Sequence, residues 1–289
     1  MLTALRASVA SQARPGARNE DFVLAAADVV VLLDGAGLPA VLDSGCVHGV
    51  PWFVRTLGTA LHRLAADRHT GLRECLAAAI RLTARAHADS CDLGSTLTPS
   101  ATVAVARAGA ERLEWLVLAD CTLVLRLDAG DVRTGNAPTG SIRTVSDHRV
   151  SHVTTAQRAA LAAEVDRLGP AERAAAFARA QRRVMNTAGG YWVAAADPAA
   201  AEEAYTGSVP LDRLRAAALL TDGAARPVDD FGVHSWPELL DRLEAHGPRH
   251  LIARTRELER SDPDCRRWPR SKCHDDATAV LLLPRTAPG

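Results

Sequence analysis

Two apolar segments that each lead into an Asp-Gly pair constrain the fold of this chain most strongly. Residues 29–33 form a continuous apolar run before Asp34 and a glycine, and residues 214–220 lead to Asp222 and a second glycine. A continuous run of this length is typical of a strand that is buried on both faces. Each aspartate is therefore predicted at the rim of a sheet, and the adjoining glycine lets backbone or ligand approach closely.

The order of the other predicted elements favours stacked sheets covered by helices over a parallel βαβ sheet. Strands are predicted at 5–11, 22–26, 28–33, 101–107, 113–119, 122–127, 142–146, 191–195, 214–220 and 278–283. Helices are predicted at 49–66, 71–88, across 155–185 with a break near Pro170, at 236–245 and at 248–258, and a turn at 128–131. We expect one domain over residues 1–289.

Composition excludes several classes of function. The formal net charge is +0, from 34 basic and 34 acidic residues, so the chain lacks the basic footprint of a nucleic-acid binder. It has no apolar run of about 18 residues that would span a membrane, and its first residues lack the apolar core of a signal peptide. The six cysteines contain no C-x-x-C pair and are predicted to be reduced thiols of a cytoplasmic protein.

Acidic residues at strand ends predict a site for hard metal ions. Besides Asp34 and Asp222, Asp21 opens a predicted strand and Asp275 precedes the last one. Carboxylates that converge on one rim repel each other unless cations neutralise them, and all-oxygen ligands favour Mg²⁺, Mn²⁺ or Ca²⁺ over zinc. Taken singly, each Asp-Gly pair is more typical of a turn than of a metal ligand.

Taken together and in order, these segments resemble the metal-dependent protein phosphatases of the PP2C type, from Asn19 to Leu283. The segments are Asn19-Glu20-Asp21, Val31-Leu32-Leu33-Asp34-Gly35-Ala36-Gly37, Ser100-Ala101-Thr102, Val117-Leu118-Ala119-Asp120, Val145-Ser146-Asp147-His148, Leu219-Leu220-Thr221-Asp222-Gly223 and Asp275-Asp276-Ala277-Thr278. The resemblance implies an α+β fold, a four-layer α-β-β-α sandwich in which two antiparallel sheets lie between helix layers.

The resemblance also implies a centre of two Mg²⁺ or Mn²⁺ ions. Asp34 would bridge the ions, with the carbonyl of Gly35 on one of them, and Asp222 and Asp275 would hold the first ion. A water activated by the metals would attack phosphorus in line, which makes Asp34 a catalytic residue as well as a ligand.

Three more acidic positions follow from the same resemblance. Asp21 would sit beside the metal pair and reach it directly or through water, with Glu20 nearby. Asp120 stands where many members carry an aspartate that can help hold a third ion, and Asp276 replaces the usual asparagine.

The chain departs from the family pattern around its predicted site. A longer segment follows Gly37, the residue after Gly35 is alanine where some members have a histidine, and the phosphate-binding arginine is displaced. Arg18 or Arg14 would substitute for that arginine. We therefore predict that Arg18 binds substrate. We also predict that the longer segment after Gly37, a rebuilt loop of residues 37–49, alters substrate choice.

His48 and Cys46 admit three interpretations. His48 is a candidate general acid for the leaving group, because its ordinary pKa suits proton transfer near neutrality. Together with Cys46 it is also a candidate ligand for a softer metal. Alternatively, both residues pack in a loop. Cys265 and Cys273 with His274 are a weaker zinc candidate, because their spacing matches no common zinc module.

Two further segments are candidates for substrate contacts. The basic loop before Asp275 carries Arg270 and Lys272 among other cations, and we predict that Arg270 binds substrate phosphate or carboxylate; a solvated loop is the alternative. Residues 186–192 fall where family members carry a mobile flap, and would shape the pocket or simply connect elements.

Three functions remain open at this stage. The leading one is hydrolysis of phosphoserine and phosphothreonine in proteins, which is the default of the family. The second is a phosphatase of a small phosphorylated metabolite, for which a narrow pocket around residues 38–52 is expected. The third is a non-catalytic regulatory module. Neither nucleic acid nor membrane is an expected partner.

Overall fold

A computed structural model describes residues 5–26, 28–128 and 141–285 of the chain. These residues form two five-stranded sheets in which every strand pair is antiparallel. The first sheet contains, in spatial order, β1 (Leu5–Gln12), β10 (Ala277–Pro284), β9 (Leu214–Leu220), β6 (Thr122–Leu127) and β7 (Ser141–Val145). The second contains β2 (Phe22–Ala26), β3 (Val29–Ala36), β4 (Ser100–Ala108), β5 (Arg112–Leu118) and β8 (Tyr205–Pro210).

Helices cover the outer face of each sheet. On the second sheet lie α1 (Val50–Ala65) and α2 (Leu72–His87), and on the first lie α5 (Asp222–Asp229), α6 (Trp236–His246) and α7 (Pro248–Ser261). A helical hairpin of α3 (Arg149–Val165) and α4 (Pro170–Arg183) connects the two halves. The predicted α-β-β-α sandwich is confirmed.

Strand β3 shows why its sequence is apolar throughout. Val31 and Leu33 pack among the residues of α1 and α2, whereas Val30 and Leu32 pack between the two sheets. Successive side chains of a strand point to opposite faces, so a strand with helices on one side and a sheet on the other is apolar at every position. The fully buried part of β3 covers residues 29–33 and leads directly into Asp34.

Four local features differ from the predictions. Helix α5 was not predicted, because Gly223 and Pro227 within it are poor helix formers. Strand β8 was also missed, since its glycine and proline are typical of turns, yet it pairs with β5 as the edge strand of the second sheet. The strand predicted at 191–195 is reduced to isolated bridges, and α3 begins six residues before the predicted 155. The turn predicted at 128–131 lies mostly outside the described residues.

Among the described residues, no helix is both long and apolar enough to cross a membrane.

Candidate metal centre

Asp34 and Asp222 lie near the ends of two buried strands, and burial, followed by the charge of Asp222, raises the pKa of Asp34. Asp34 lies in β3 opposite Thr102 of β4. Asp222 follows β9 and is the first residue of α5, with Thr221 as the N-cap. The amide groups at a helix N-terminus favour a nearby negative charge. The predicted rim position of both aspartates is therefore present in the structure.

Close backbone packing explains the glycines beside these aspartates. A Cβ atom on Gly35 would collide with the carbonyl oxygen of Glu20 and with a methyl group of Val50, and a Cβ on Gly223 would collide with the carbonyl oxygen of Asp276. In addition, the amide of Gly35 donates to the carbonyl of Glu20 over 3.1 Å. These contacts bring the segments that carry the acidic residues against one another.

Asp21 is oriented by two threonine hydroxyls and keeps one oxygen unpartnered. Its Oδ2 accepts hydrogen bonds from Thr278 over 2.7 Å and from Thr221 over 3.1 Å. Its Oδ1 is buried and has no hydrogen-bond partner, and the same is true of Oδ1 of Asp222. Buried polar atoms without partners are rare and costly in proteins, so these two oxygens are suited to bind a cation.

The aspartates lie close together and repel one another, which makes their ionised forms less favourable. Burial, together with the charge of Asp222, raises the pKa of Asp21 to about 8 and that of Asp120 to about 7. Burial also raises the pKa of Asp34, with contributions from Asp222, Asp21 and Asp275. The pKa of Asp275 is raised by burial and by Asp222. The structure thus brings all five predicted aspartates into one mutually repulsive cluster.

Two basic side chains lie at one side of this acidic cluster. Nζ of Lys272 is 3.0 Å from Oδ1 of Asp275, and a guanidinium nitrogen of Arg226 is 3.5 Å from its Oδ2. The charge of Lys272 also offsets part of the rise that burial causes in the pKa values of Asp34 and Asp120. Lys272 therefore partly neutralises the cluster.

A buried ionic network around Glu259 of α7 orients Arg226. Glu259, with 0% side-chain exposure, binds Arg226 over 2.6 Å, Arg256 over 2.7 Å and Nδ1 of His274 over 2.8 Å. Since Arg226 also reaches Asp275, this network links the interior of α7 to the acidic cluster.

Asp276 has a positioning role at the usual asparagine position. It accepts hydrogen bonds from the backbone amides of Arg14 over 2.7 Å and of Glu20 over 2.8 Å. The guanidinium of Arg14 also lies 3.4 Å from Asp276 and 3.3 Å from Glu20. Asp276 therefore holds Arg14 at the edge of the cluster.

The donor set fits hard divalent cations. All side-chain donors of the cluster are carboxylate oxygens, two of them unpartnered, which is the chemistry that Mg²⁺ and Mn²⁺ prefer. Cations would remove both the mutual repulsion and the unsatisfied oxygens. The residues present therefore fit the predicted metals.

A pocket of about 550 Å³ opens beside Glu20 and Gly37. Arg14, Arg18 and Arg55 line it, together with Trp52 and His48 and with residues of the rebuilt loop after Gly37. Arg18 thus lies where a substrate group could reach it, and Arg14, the alternative considered from the sequence, lies there as well.

The prediction that Arg270 binds substrate is corrected by its contacts. Its side chain is only 3% exposed and donates to Asp262 over 2.7 Å. It also donates to the carbonyls of Asp262, Trp268 and Cys273. Since these donors are used within the loop, Arg270 braces the loop that carries Lys272.

The prediction of six reduced thiols is corrected in the same loop. Cys265 and Cys273 form a disulfide, with their Cα atoms 5.9 Å apart. The loop folds back because Asp262 accepts the amides of Arg266 and Arg267 over 2.9 and 3.0 Å. The zinc alternative for this pair therefore has no support, and the other four cysteines are free.

The segment 186–192 is closed by hydrogen bonds of Asn186. Its amide donates to the carbonyl of Tyr191 over 2.7 Å, and its side-chain oxygen accepts from the amide of Val193 over 2.8 Å. Asn186 also adopts a positive φ of 53°. The segment forms a turn beside β4, to which Ala194 is bridged.

His48 lies in a separate cluster of cysteines and histidines. Its Nδ1 is 3.3 Å from Sγ of Cys91 and 4.0 Å from Sγ of Cys46. His48 also lines the pocket. Its role as general acid stays a prediction.

Sequence reasoning missed the functional contacts of Lys272, Arg226 and Glu259. Lys272 was visible as a cation three residues before Asp275, but nothing in the sequence separated it from its basic neighbours. Arg226 and Glu259 carry no local signal at all, because their partners are distant in the chain.

Comparison with known proteins extends this picture. No protein-family model matches the chain, and no curated protein matches it either. Among solved structures, the Mycobacterium tuberculosis serine/threonine phosphatase PstP/Ppp is 20% identical, with a TM-score of 0.56 over 98% of this chain and 99% of its own. Phosphatase Stp1 from Staphylococcus aureus is 15% identical, with a TM-score of 0.57 over 98% and 96%.

This chain has the fold of these bacterial phosphatases. A structure of the PstP catalytic domain that contains two manganese ions matches with a TM-score of 0.53 and 19% identity over 96% of this chain and 97% of that one. The PP2C-like fold expected from the sequence motifs is therefore confirmed along nearly the whole length. The fold is thus shared although the sequences are only 15 to 20% identical.

Proposed function

We propose that this chain is a divalent-metal-dependent phosphatase that acts on phosphoserine and phosphothreonine in proteins. The observation that carries the proposal is the cluster of Asp21, Asp34, Asp120, Asp222 and Asp275. Burial and mutual repulsion raise the pKa values of Asp21, Asp34, Asp120 and Asp275, and two buried oxygens of the cluster, on Asp21 and Asp222, are unpartnered. Such a cluster costs stability unless cations bind to it. The solved serine/threonine phosphatases of the same fold support the reaction class.

Asp34, Asp222 and Asp275 would hold the metals, with Asp21 and Asp120 contributing beside them. Bound Mg²⁺ or Mn²⁺ would supply Lewis-acid activation of water and neutralise charge on the phosphate. The other residues have positioning roles: Thr221 and Thr278 orient Asp21, and Arg226 contacts Asp275.

The arginines of the pocket would recognise the phosphorylated substrate. Arg14, Arg18 and Arg55 supply positive charge in the pocket, and Arg14 is close enough to the acidic cluster to interact with the charge of Asp275. Guanidinium groups bind phosphate through paired hydrogen bonds. Because Asp276 fixes the backbone of Arg14, that guanidinium would be presented in one orientation.

The pocket also favours a second candidate, a phosphatase of a small phosphorylated metabolite. Its volume of about 550 Å³ lies within the range of small-molecule sites, and the rebuilt loop of residues 37–49 contributes to its wall. A phosphorylated side chain of a protein would need only part of this space.

The test is hydrolysis of p-nitrophenyl phosphate and of a phosphothreonine peptide with Mn²⁺, in the wild type and in the variants Asp34→Asn and Asp222→Asn. Asp212→Asn, which changes an exposed aspartate outside the cluster, is the matched control. Turnover of both substrates that is lost in the two cluster variants and kept in the control supports the proposal.

Turnover of the small ester alone would favour the metabolite phosphatase. Calorimetry with Mn²⁺ provides the measurement that is independent of substrate. If the wild type neither binds Mn²⁺ nor hydrolyses either compound, the metal-dependent enzyme is ruled out and the non-catalytic module is left.

A further inference from the structure

Two cysteines and two histidines outside the acidic cluster converge on one point. They are Cys46 and His48 from the loop of residues 37–49, His87 from the last turn of α2, and Cys91 just beyond it. One donor atom from each residue lies within 4.8 Å of all the others. The chain between the two pairs forms α1 and α2, so the cluster closes the open end of this helical hairpin.

Four of the six distances between the donor atoms lie within about 0.2 Å of the range expected for the edges of a tetrahedron around a zinc ion. Sγ of Cys46 lies 3.4 Å from Sγ of Cys91, 3.7 Å from Nδ1 of His87 and 4.0 Å from Nδ1 of His48. Nδ1 of His48 is 3.3 Å from Sγ of Cys91. Zinc bonds of about 2.3 Å to sulfur and about 2.0 Å to nitrogen give tetrahedral edges of roughly 3.3 to 3.8 Å.

The surroundings support the four ligands. The ring of Trp52 stacks on His48 with centroids 4.3 Å apart and lies 5.1 Å from the ring of His87. The amide of Asp92 donates to the carbonyl of Gly45 over 2.8 Å, which ties the two ligand-bearing segments together. Aromatic shielding and fixed backbone positions are the outer contacts that orient metal ligands.

We propose that Cys46, His48, His87 and Cys91 form a structural zinc site that fastens the loop of residues 37–49 to the end of α2. Four protein ligands leave no open position, which is typical of structural and not catalytic zinc. The thiolate and imidazole donors also separate this site from the all-carboxylate centre, which prefers harder ions. His48 is then a ligand and not the general acid.

A zinc ion at this site would fix the conformation of the rebuilt loop. Residues of this loop line the pocket beside the acidic cluster, and a loop without regular structure needs an anchor to keep one shape. Zinc would supply that anchor. The inference goes beyond the proposed function, because it concerns metal binding at a second site and holds whether or not the chain hydrolyses phosphate.

The test uses Co²⁺ as a spectroscopic substitute for zinc in the full-length, reduced protein. Tetrahedral Co²⁺ bound to cysteine gives strong visible bands and a thiolate-to-metal charge-transfer band, neither of which carboxylates produce. We expect one equivalent of Co²⁺ to give both, and one equivalent of Zn²⁺ to bleach them.

Cys46→Ala and Cys91→Ala each remove one of the two thiolates and should reduce the charge-transfer band by at least half, whereas Cys75→Ala, a control in α2 outside the cluster, should retain it. X-ray absorption of the zinc-loaded wild type should show two sulfur and two nitrogen ligands, which tests the site without any variant.

Three results would overturn the inference: no charge-transfer band in the reduced wild type, an unchanged band in Cys91→Ala, or a Cys46–Cys91 disulfide in metal-free protein isolated under reducing conditions. Since no step measures phosphatase activity, failure of this inference and failure of the proposed function are distinguishable.

Discussion

The ammonium of Lys272 lies 3.0 Å from Oδ1 and 2.9 Å from Oδ2 of Asp275, at a carboxylate that also belongs to the acidic cluster. A cation on the same carboxylate would compete with this ion pair. Lys272 is half exposed, so the pair is worth about 1 kcal/mol at most.

We predict that Lys272→Met tightens Mn²⁺ binding. Removal of the competing charge should lower the dissociation constant roughly fivefold, which corresponds to about 1 kcal/mol. Isothermal titration calorimetry measures the change, and Lys272→Arg, which keeps the charge, is the control. A weaker affinity in Lys272→Met would show that Lys272 assists the metal centre and does not compete with it.

The metal-free protein should lose stability as the pH rises from about 4 to about 8. The pKa of Asp21 is about 8 in the folded chain against an ordinary value of 3.8, so in this range the folded state binds more protons than the unfolded state. The free energy of unfolding therefore falls with rising pH, by up to about 1.4 kcal/mol per pH unit for one such group.

Urea denaturation in the presence of chelator, at a series of pH values, measures this slope. Mn²⁺ should flatten it, because the metal stabilises the ionised carboxylates, and Asp21→Asn should reduce it without metal. A metal-free stability that rises over this pH range would contradict the assignment of a repulsive cluster.

Gly223→Ala should disrupt the metal centre although it changes no ligand. The added Cβ would collide with the carbonyl oxygen of Asp276, which would force the start of α5 away from β10 and separate Asp222 from Asp275. We expect at least a tenfold loss of Mn²⁺ affinity. The control is Gly71→Ala, where a Cβ meets nothing within 4 Å. Equal affinity in the two variants would show that the contact is not needed.

Removal of Glu259 should be among the most destabilising single changes on α7. Glu259 is fully buried between Arg226 and Arg256, and Glu259→Ala leaves both guanidinium groups without their shared anion, at a cost of about 3–5 kcal/mol. Glu257→Gln on the same helix alters an exposed pair with Arg254, and should cost under about 0.5 kcal/mol. Chemical denaturation compares the two, and similar values would show that the network is not energetically coupled to folding.

Short-range patterns predicted much of the framework. The apolar run before Asp34 indicated a strand buried on both faces, because helices and a sheet cover β3 from opposite sides. The regular apolar spacing of α1 and α2 was similarly visible. Helix α5 and strand β8 escaped prediction, since their glycine and proline residues lower local propensity and only tertiary packing stabilises them.

The sequence by itself determined the layered architecture and the aspartates at the strand ends, since both depend on burial patterns that repeat within a few residues. The tertiary structure alone decided which side chains meet: Lys272 with Asp275, Arg226 with Glu259, and Cys46 with His87 and Cys91. Except for Lys272, these partners are separated by tens of residues, and their encounter depends on how helices and sheets pack. Local propensity carries no information about such contacts.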